Sequence, residues 1–135
     1  DRRAWTDYLH SIYDAYSVLL EIFNLAKDEI IIIDNYVGKV LLDELRSIDK
    51  NIIIISSNIN VNLRKKYLKQ YNNIKFIKND SYHDRFIIID RKRVFHSGAS
   101  FKDLGRKCFG IHEIENSVKI EKLINEVIKK CSIDN

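Results

Sequence analysis

Two nearly identical runs of isoleucine constrain the fold of this 135-residue chain more than any other feature. Residues 29–35 read EIIIIDN, and residues 50–58 read KNIIIISSN. Consecutive β-branched residues favour an extended backbone, and these runs are too short for a buried helix. Because neither run alternates with polar residues, each predicts a strand that is buried on both faces, as in the interior of a parallel sheet.

Segments with helical periodicity separate these strands from each other and from a third strand. Apolar residues recur at helical spacing in residues 5–27, 38–48 and 61–71. Residues 73–79, NIKFIKN, alternate as a strand near the edge of a sheet does. The resulting β-α-β-α-β order predicts a parallel sheet with helices on its faces.

The order of elements changes in the second half of the chain. Residues 84–90 and 93–99 are predicted to be two strands joined by the short polar turn Arg91-Lys92, which makes a hairpin and therefore a mixed sheet. Three more elements are predicted after the hairpin, namely a short helical stretch at 101–104, a last strand at 108–115 and an amphipathic helix at 119–131. We therefore predict a single α/β domain with a mixed, mostly parallel sheet flanked by helices.

Composition limits the class of protein. A hydrophobic content of 45% and a charged content of 31% are ordinary for a globular domain, and the net charge of +4 is compatible with an anionic partner. No apolar run approaches the ~18 residues of a membrane helix, so no membrane partner is expected. Cys108 and Cys131 show no pairing pattern, which is typical of thiols in a reducing cytoplasm. Because the chain opens at Asp1 and contains no methionine, we expect it to be a fragment of a longer protein.

His83 and Arg85 stand two residues apart where the segment SYHDRFIIID, residues 81–90, enters its apolar run. Side chains alternate along a strand, so the two are expected to share a face. A guanidinium offers a fixed fork of donors to phosphate, and an imidazole can act as nucleophile, acid or base. Asp90 has the opposite parity and lies about 23 Å further along an extended strand. Asp90 is therefore predicted to be structural, holding the hairpin turn or capping neighbouring amides.

Several other polar residues allow two interpretations. Asp34 and Asn35 follow the first strand at its carboxyl end, where α/β sites form, but they are predicted to cap the following helix. His96 fits a core position as well as a site. The basic runs at 64–66, 91–93 and 129–130 are predicted to be solvated faces, with a nucleic-acid footprint as the alternative. No complete set of metal ligands is found, so no metal site is predicted.

The spacing His-x-Arg-x-x-x-x-Asp resembles the signature of the phospholipase D superfamily, His-x-Lys-x-x-x-x-Asp, known as the HKD motif. The order of elements resembles one half of that fold over nearly the whole chain. The resemblance is closest to the C-terminal domain of certain phage-type ORF6N proteins, in which the phrases HDRFIIID and GASFKDLG recur. It implies a hydrolase, namely a phosphodiesterase or nuclease that forms a phosphohistidine and needs neither metal nor another cofactor.

The resemblance also implies roles for individual residues. His83 matches the nucleophile, and Arg85 takes the position of the lysine that holds the phosphate. Glu113 or Glu115 matches the carboxylate that orients the nucleophilic histidine. In the family a second histidine, from another half or another subunit, protonates the leaving group. The resemblance therefore implies a homodimer, or a second motif in the part of the protein that is missing.

The glycine-serine segment of the family is changed in this chain. Gly98 and Ser100 fall where the phosphate donors are expected, but Ala99 stands at the serine position and no asparagine follows. Removal of one such donor can slow a reaction by roughly 10²–10³. Two alternative functions are therefore considered for the chain. One is a metal-independent phosphodiesterase acting on a phosphodiester or nucleic acid. The alternative is a catalytically degenerate phosphate-binding or dimerisation module attached to a DNA-binding protein.

Overall fold

The computed structural model describes residues 12–98 and 110–133. The helices in these ranges are Ile12–Asn24 (α1), Lys39–Leu45 (α2), Val61–Gln70 (α3) and Ser117–Ile133 (α4). The strands are Glu29–Ile33 (β1), Asn51–Ser56 (β2), Ile74–Lys78 (β3), Arg85–Ile89 (β4), Arg93–Ser97 (β5) and Ile111–Ile114 (β6). Each predicted strand is confirmed, although every one is shorter than the apolar pattern indicated. The helical stretch predicted at 101–104 lies outside the described residues.

The six strands form one sheet in the order β3-β2-β1-β4-β5-β6. The pairs β1–β2 and β2–β3 are parallel, whereas β4 is antiparallel to β1, β5 to β4, and β6 to β5. Two reversals bring β5 back to the direction of β1, so four of the six strands run the same way. The mixed, mostly parallel sheet predicted from the order of elements is confirmed.

Helices cover both faces of the sheet, which is why β1 consists of consecutive isoleucines. Ile30 and Ile32 belong to the larger core cluster, on the face that α1, α2 and α3 cover. Ile31 and Ile33 belong to a second cluster, with α4. All four are at most 1% exposed, and burial of each such side chain stabilises the fold by about 1.5–3 kcal/mol.

The hairpin between β4 and β5 turns at Asp90 and Arg91, one residue earlier than predicted. Both residues have positive φ, 53° and 56°, and the N–H of Lys92 donates to the carbonyl oxygen of Ile89 at 3.0 Å. Positive φ is unfavourable for most residues, but aspartate tolerates it well. The turn therefore requires positive φ at Asp90 as well as at Arg91.

The carboxylate of Asp90 ties the end of β4 to the start of β1. Its Oδ1 accepts from the N–H groups of Asp28 and Glu29, and its Oδ2 from that of Lys27, each at 2.9 Å. Beside it, Arg91 donates from Nε and Nη2 to the carboxylate of Glu29 at 2.8 and 3.1 Å. Desolvation raises the pKa of Asp90, but the three backbone hydrogen bonds outweigh it and hold the pKa below the ordinary value of 3.8.

Candidate functional site

Arg85 lies at the edge of the sheet where the parallel strands end. Because β4 runs against β1, Phe86 pairs with Ile33 at the carboxyl end of β1. Ser97, the last residue of β5, pairs with Arg85 and also with Ile111, the first residue of β6. The carboxyl ends of β1, β2, β3 and β5 therefore meet the start of β4 along one edge. Ligand sites of α/β sheets form at such an edge.

Polar side chains form a row along this edge, on the face covered by α1–α3. Asp34, Ser56 and Ser97 are the buried polar residues of the described part of the chain, each at most 1% exposed. Each follows by two residues an apolar side chain of the cluster on that face, and Arg85 precedes Ile87 of the same cluster. Continuing the β1–β4 register by one residue places Asp34 opposite Arg85. We call these four polar residues, Asp34, Ser56, Arg85 and Ser97, the polar row.

Asp34 and Asn35 do not cap the following helix, and that prediction was wrong. The N-cap of α2 is Gly38, which has no side-chain cap bond. Asp34 Oδ1 accepts instead from the N–H of Tyr36 at 3.0 Å, and Asn35 Nδ2 donates to the carbonyl oxygen of Tyr82 at 2.6 Å. A side chain caps a helix from the N-cap position, where it reaches the first turn. Asp34 and Asn35 precede the N-cap residue, Gly38, by too many residues to do so.

The segment that leads into His83 is anchored from two sides. Tyr82 is only 8% exposed, and burial raises its pKa to about 12. Lys130 of α4 lies 5.6 Å from the centroid of the Tyr82 ring and donates to Ser81 Oγ at 3.3 Å. His83 itself is exposed and precedes the first strand residue, Arg85. Alternation along a strand therefore does not by itself fix the direction of the imidazole, and the shared face of His83 and Arg85 stays a prediction.

Arg85 is a partly buried cation at this polar edge. No carboxylate of residues 12–98 and 110–133 forms an ion pair with its guanidinium. The guanidinium fork can therefore donate to a bound anion without first leaving a carboxylate of the described residues.

A second group of polar residues occupies the other face of the same edge. His96 pairs across the strands with Phe86 and with His112, at ring-centroid distances of 5.4 and 5.0 Å. His96 Nε2 lies 3.6 Å from Asp84 Oδ1. Two effects lower the pKa of His112 below 6.5, of which burial is the larger and the charge of the neighbouring His96 the smaller. These histidines share the edge with Arg85 but project from the opposite face of the sheet.

The remaining predicted site residues are distributed around the hairpin. Arg93 donates from Nε and Nη2 to the carboxylate of Glu113, both at 2.8 Å. The N–H of Gly98 donates to the carbonyl oxygen of Gly110 at 3.4 Å, which places Gly98 at the same edge as Arg85. Ser100 lies outside the described residues. Asp90 lies at the opposite end of β4, in the contacts given above.

In the ranges 12–98 and 110–133, no group of three or more histidine, cysteine, aspartate or glutamate side chains could hold a metal ion. None of the helices in these ranges is both long and apolar enough to cross a membrane.

Substitution of Arg85 by alanine should weaken the binding of phosphate or tungstate at least about tenfold, because charge-assisted hydrogen bonds would be lost. The unfolding temperature should change little, since no ion pair with a carboxylate of the described residues is broken. Titration calorimetry of wild type, Arg85→Ala and Arg85→Lys would measure both anion affinity and its recovery by a lysine. Unchanged anion affinity in Arg85→Ala would place any anion site elsewhere.

Comparison with known proteins identifies the fold. No protein-family model and no curated protein matches the sequence. Among solved structures, NucT from Helicobacter pylori is 20% identical and superposes with a TM-score of 0.65, over 90% of this chain and 89% of that one. TrmBL2, an archaeal chromatin protein whose structure shows a novel mode of DNA binding, is 17% identical with a TM-score of 0.55, over 89% of this chain and 50% of its own. The chain thus spans half of TrmBL2 and nearly all of NucT, and it has the phospholipase D-like α/β fold expected from the order of its elements.

Proposed function

We propose that the chain is a metal-independent phosphodiesterase that acts on nucleic acid, with His83 as the nucleophile and Arg85 as the phosphate clamp. The observation that carries the proposal is the Arg85 guanidinium, which lies in the polar row without a carboxylate partner among the described residues and two residues from an exposed histidine. The phospholipase D-like fold shared with NucT supports this chemistry.

The proposed reaction is a double displacement at phosphorus. A ring nitrogen of His83 attacks the phosphorus atom, a P–N bond forms, and the P–O bond to the leaving nucleoside breaks. Arg85 donates to the non-bridging oxygens, where negative charge builds up in the transition state. A second histidine gives its proton to the leaving oxygen. Water, whose proton passes to the now neutral second histidine, then cleaves the P–N bond, which releases the phosphate product and regenerates both histidines.

Three further residues complete the proposed site. Gly98, which lies at the same edge as Arg85, and Ser100, with its hydroxyl, are the additional phosphate-binding residues, and Glu113 is the carboxylate that orients His83. Glu113 is held by Arg93 in two hydrogen bonds of 2.8 Å. In the proposal, therefore, Glu113 acts on His83 only after it has loosened its bonds to Arg93.

One histidine cannot serve as nucleophile and as leaving-group acid in the same step. We therefore propose a two-fold homodimer in which His83 of a second copy supplies the proton, because a two-fold axis places the same residue on both sides of the interface.

Hydrolysis of bis-p-nitrophenyl phosphate or single-stranded DNA should persist in EDTA, because a histidine nucleophile beside a fixed cation replaces the function of a metal. Sedimentation velocity on the same sample should show that the active species is a dimer. Activity that is lost in EDTA and restored by Mg²⁺ would contradict the mechanism. Activity in a strictly monomeric chain would show that the second histidine is not supplied by a second copy of the chain.

A second candidate function is a phosphate-binding or dimerisation module that serves a DNA-binding domain elsewhere in a phage-related protein. Ala99, which replaces the serine of the family, favours this alternative because it removes a phosphate donor. The two candidates differ in turnover. Anion binding at Arg85 without hydrolysis of any diester would establish the module and exclude the enzyme.

A further inference from the structure

A cleft of about 200 Å³ opens at the carboxyl ends of β2 and β3, beside the polar row. Ser56 and Ser57 line it from the end of β2, Arg64 from α3, and Phe76 and Lys78 from β3. Ser56 belongs both to this cleft and to the polar row. The cleft is therefore continuous with the edge that carries Arg85.

The charged groups of the cleft are both cationic. Arg64 is partly buried and Lys78 is exposed, and none of the described residues that line the cleft is acidic. No carboxylate in the described part of the chain pairs with either residue. Two cations on separate elements face one space that also contains the hydroxyls of Ser56 and Ser57, which is the donor set of a phosphate site.

The cleft also has an apolar side. The ring of Phe76 is partly buried and meets Tyr67 edge-on, with a centroid distance of 6.5 Å. Val61, which lines the same cleft, is 51% exposed. An apolar surface beside paired cations is what proteins present to single-stranded nucleic acid, whose bases stack on side chains while its phosphates meet lysine and arginine.

The position of the cleft relates it to the proposed site. β3 lies three strands from β4, which corresponds to about 14 Å at about 4.8 Å per strand. A few nucleotides of an extended strand cover that distance. We infer that this cleft binds a nucleotide unit of single-stranded nucleic acid, with its phosphate between Arg64 and Lys78, while another phosphate of the same strand lies at Arg85. This inference rests on the proposed function for the choice of ligand.

Binding of a fluorescent oligothymidylate to a His83→Ala protein isolates affinity from turnover. Arg64→Ala and Lys78→Ala should each weaken binding about five- to tenfold. Lys66→Ala is the matched control, since Lys66 is an exposed lysine of α3 that does not line the cleft. The slope of log affinity against log salt should fall by about 0.7 for each lost phosphate contact, and it should change less in Lys66→Ala.

The length of the ligand distinguishes the cleft from the site at Arg85. Cleavage of bis-p-nitrophenyl phosphate should be unchanged in Arg64→Ala and Lys78→Ala, because that diester is too short to reach the cleft. Cleavage of single-stranded DNA should fall in both variants.

Each contrary result has its own meaning. Equal losses in Lys66→Ala and Lys78→Ala, or normal DNA binding in Arg64→Ala, would overturn the cleft assignment and leave the proposed enzyme intact. The opposite result is a wild-type protein that cleaves no diester but binds oligonucleotides through Arg64 and Lys78. It would exclude the proposed enzyme and support the assignment of the cleft.

Discussion

Replacement of His83 by alanine is expected to abolish hydrolysis of both a small diester and single-stranded DNA, by at least about 10³-fold. The effect is large because the imidazole is the proposed nucleophile, and its removal leaves the proposed covalent intermediate without its P–N bond. The fold should survive, since His83 is exposed and surface substitutions usually change stability by less than about 0.5 kcal/mol. Initial rates with saturating bis-p-nitrophenyl phosphate measure the loss.

The matched control is His112→Ala, which removes an exposed histidine on the opposite face of the same edge. This variant should retain the wild-type rate. Vanadate or tungstate should inhibit the wild type, because these ions imitate a phosphorus centre in the transition state. Residual hydrolysis in His83→Ala at more than about a tenth of the wild-type rate would show that another group is the nucleophile.

Replacement of Asp90 should have the largest effect on stability and little effect on anion binding. In Asp90→Ala the N–H groups of residues 27–29 lose their acceptors, which costs about 2 kcal/mol. Alanine at positive φ adds about 1 kcal/mol. Asp90→Asn keeps one side-chain oxygen and tolerates this φ, so its loss should be smaller. Urea unfolding at neutral pH would rank the three proteins.

The contribution of Asp90 should also depend on pH. The folded-state pKa lies below the ordinary value of 3.8, so the stabilisation is fully present above that value and is lost as the pH falls through the folded-state pKa. The stability difference between wild type and Asp90→Asn should therefore narrow in strong acid. A large loss of phosphate affinity in Asp90→Asn at neutral pH, without loss of stability, would instead place Asp90 in the phosphate site.

The sequence predicted the frame better than it predicted the site. Runs such as Ile30–Ile33 indicate strands, because a strand that is buried on both faces has no position for a polar residue. The turn was misplaced by one residue because Asp90, which reads as the end of a strand, adopts positive φ. Local patterns therefore give the element type reliably and its last residue less so.

The contacts of the site are invisible to local patterns. Asn35 donates a hydrogen bond to Tyr82, which lies 47 residues further along the chain. The periodicity of a sequence cannot predict a contact between such distant residues. Ser56 and Ser97 were overlooked because one serine at the end of an apolar run resembles an ordinary turn residue. The sequence nevertheless contains an indication of their role. Each serine follows a core-facing residue of its strand by two positions, so its side chain is expected on the same face as the core. The partner of Glu113 also depended on strand register, which a single sequence does not give.

The pairing of β1 with β4 has a consequence for how the molecule assembles. The two strands are neighbours in the sheet, with Ile33 opposite Phe86, although more than fifty residues separate them along the chain. Every other strand pair of the sheet joins residues that are closer in sequence, so the seam formed by the pairing of β1 with β4 closes the longest loop between neighbouring strands and is expected to form late in folding. Arg85 lies at one end of the seam and Asp90 at the other. Formation of the anion site should therefore coincide with the last cooperative folding step, and amide exchange in β4 should report opening of the seam.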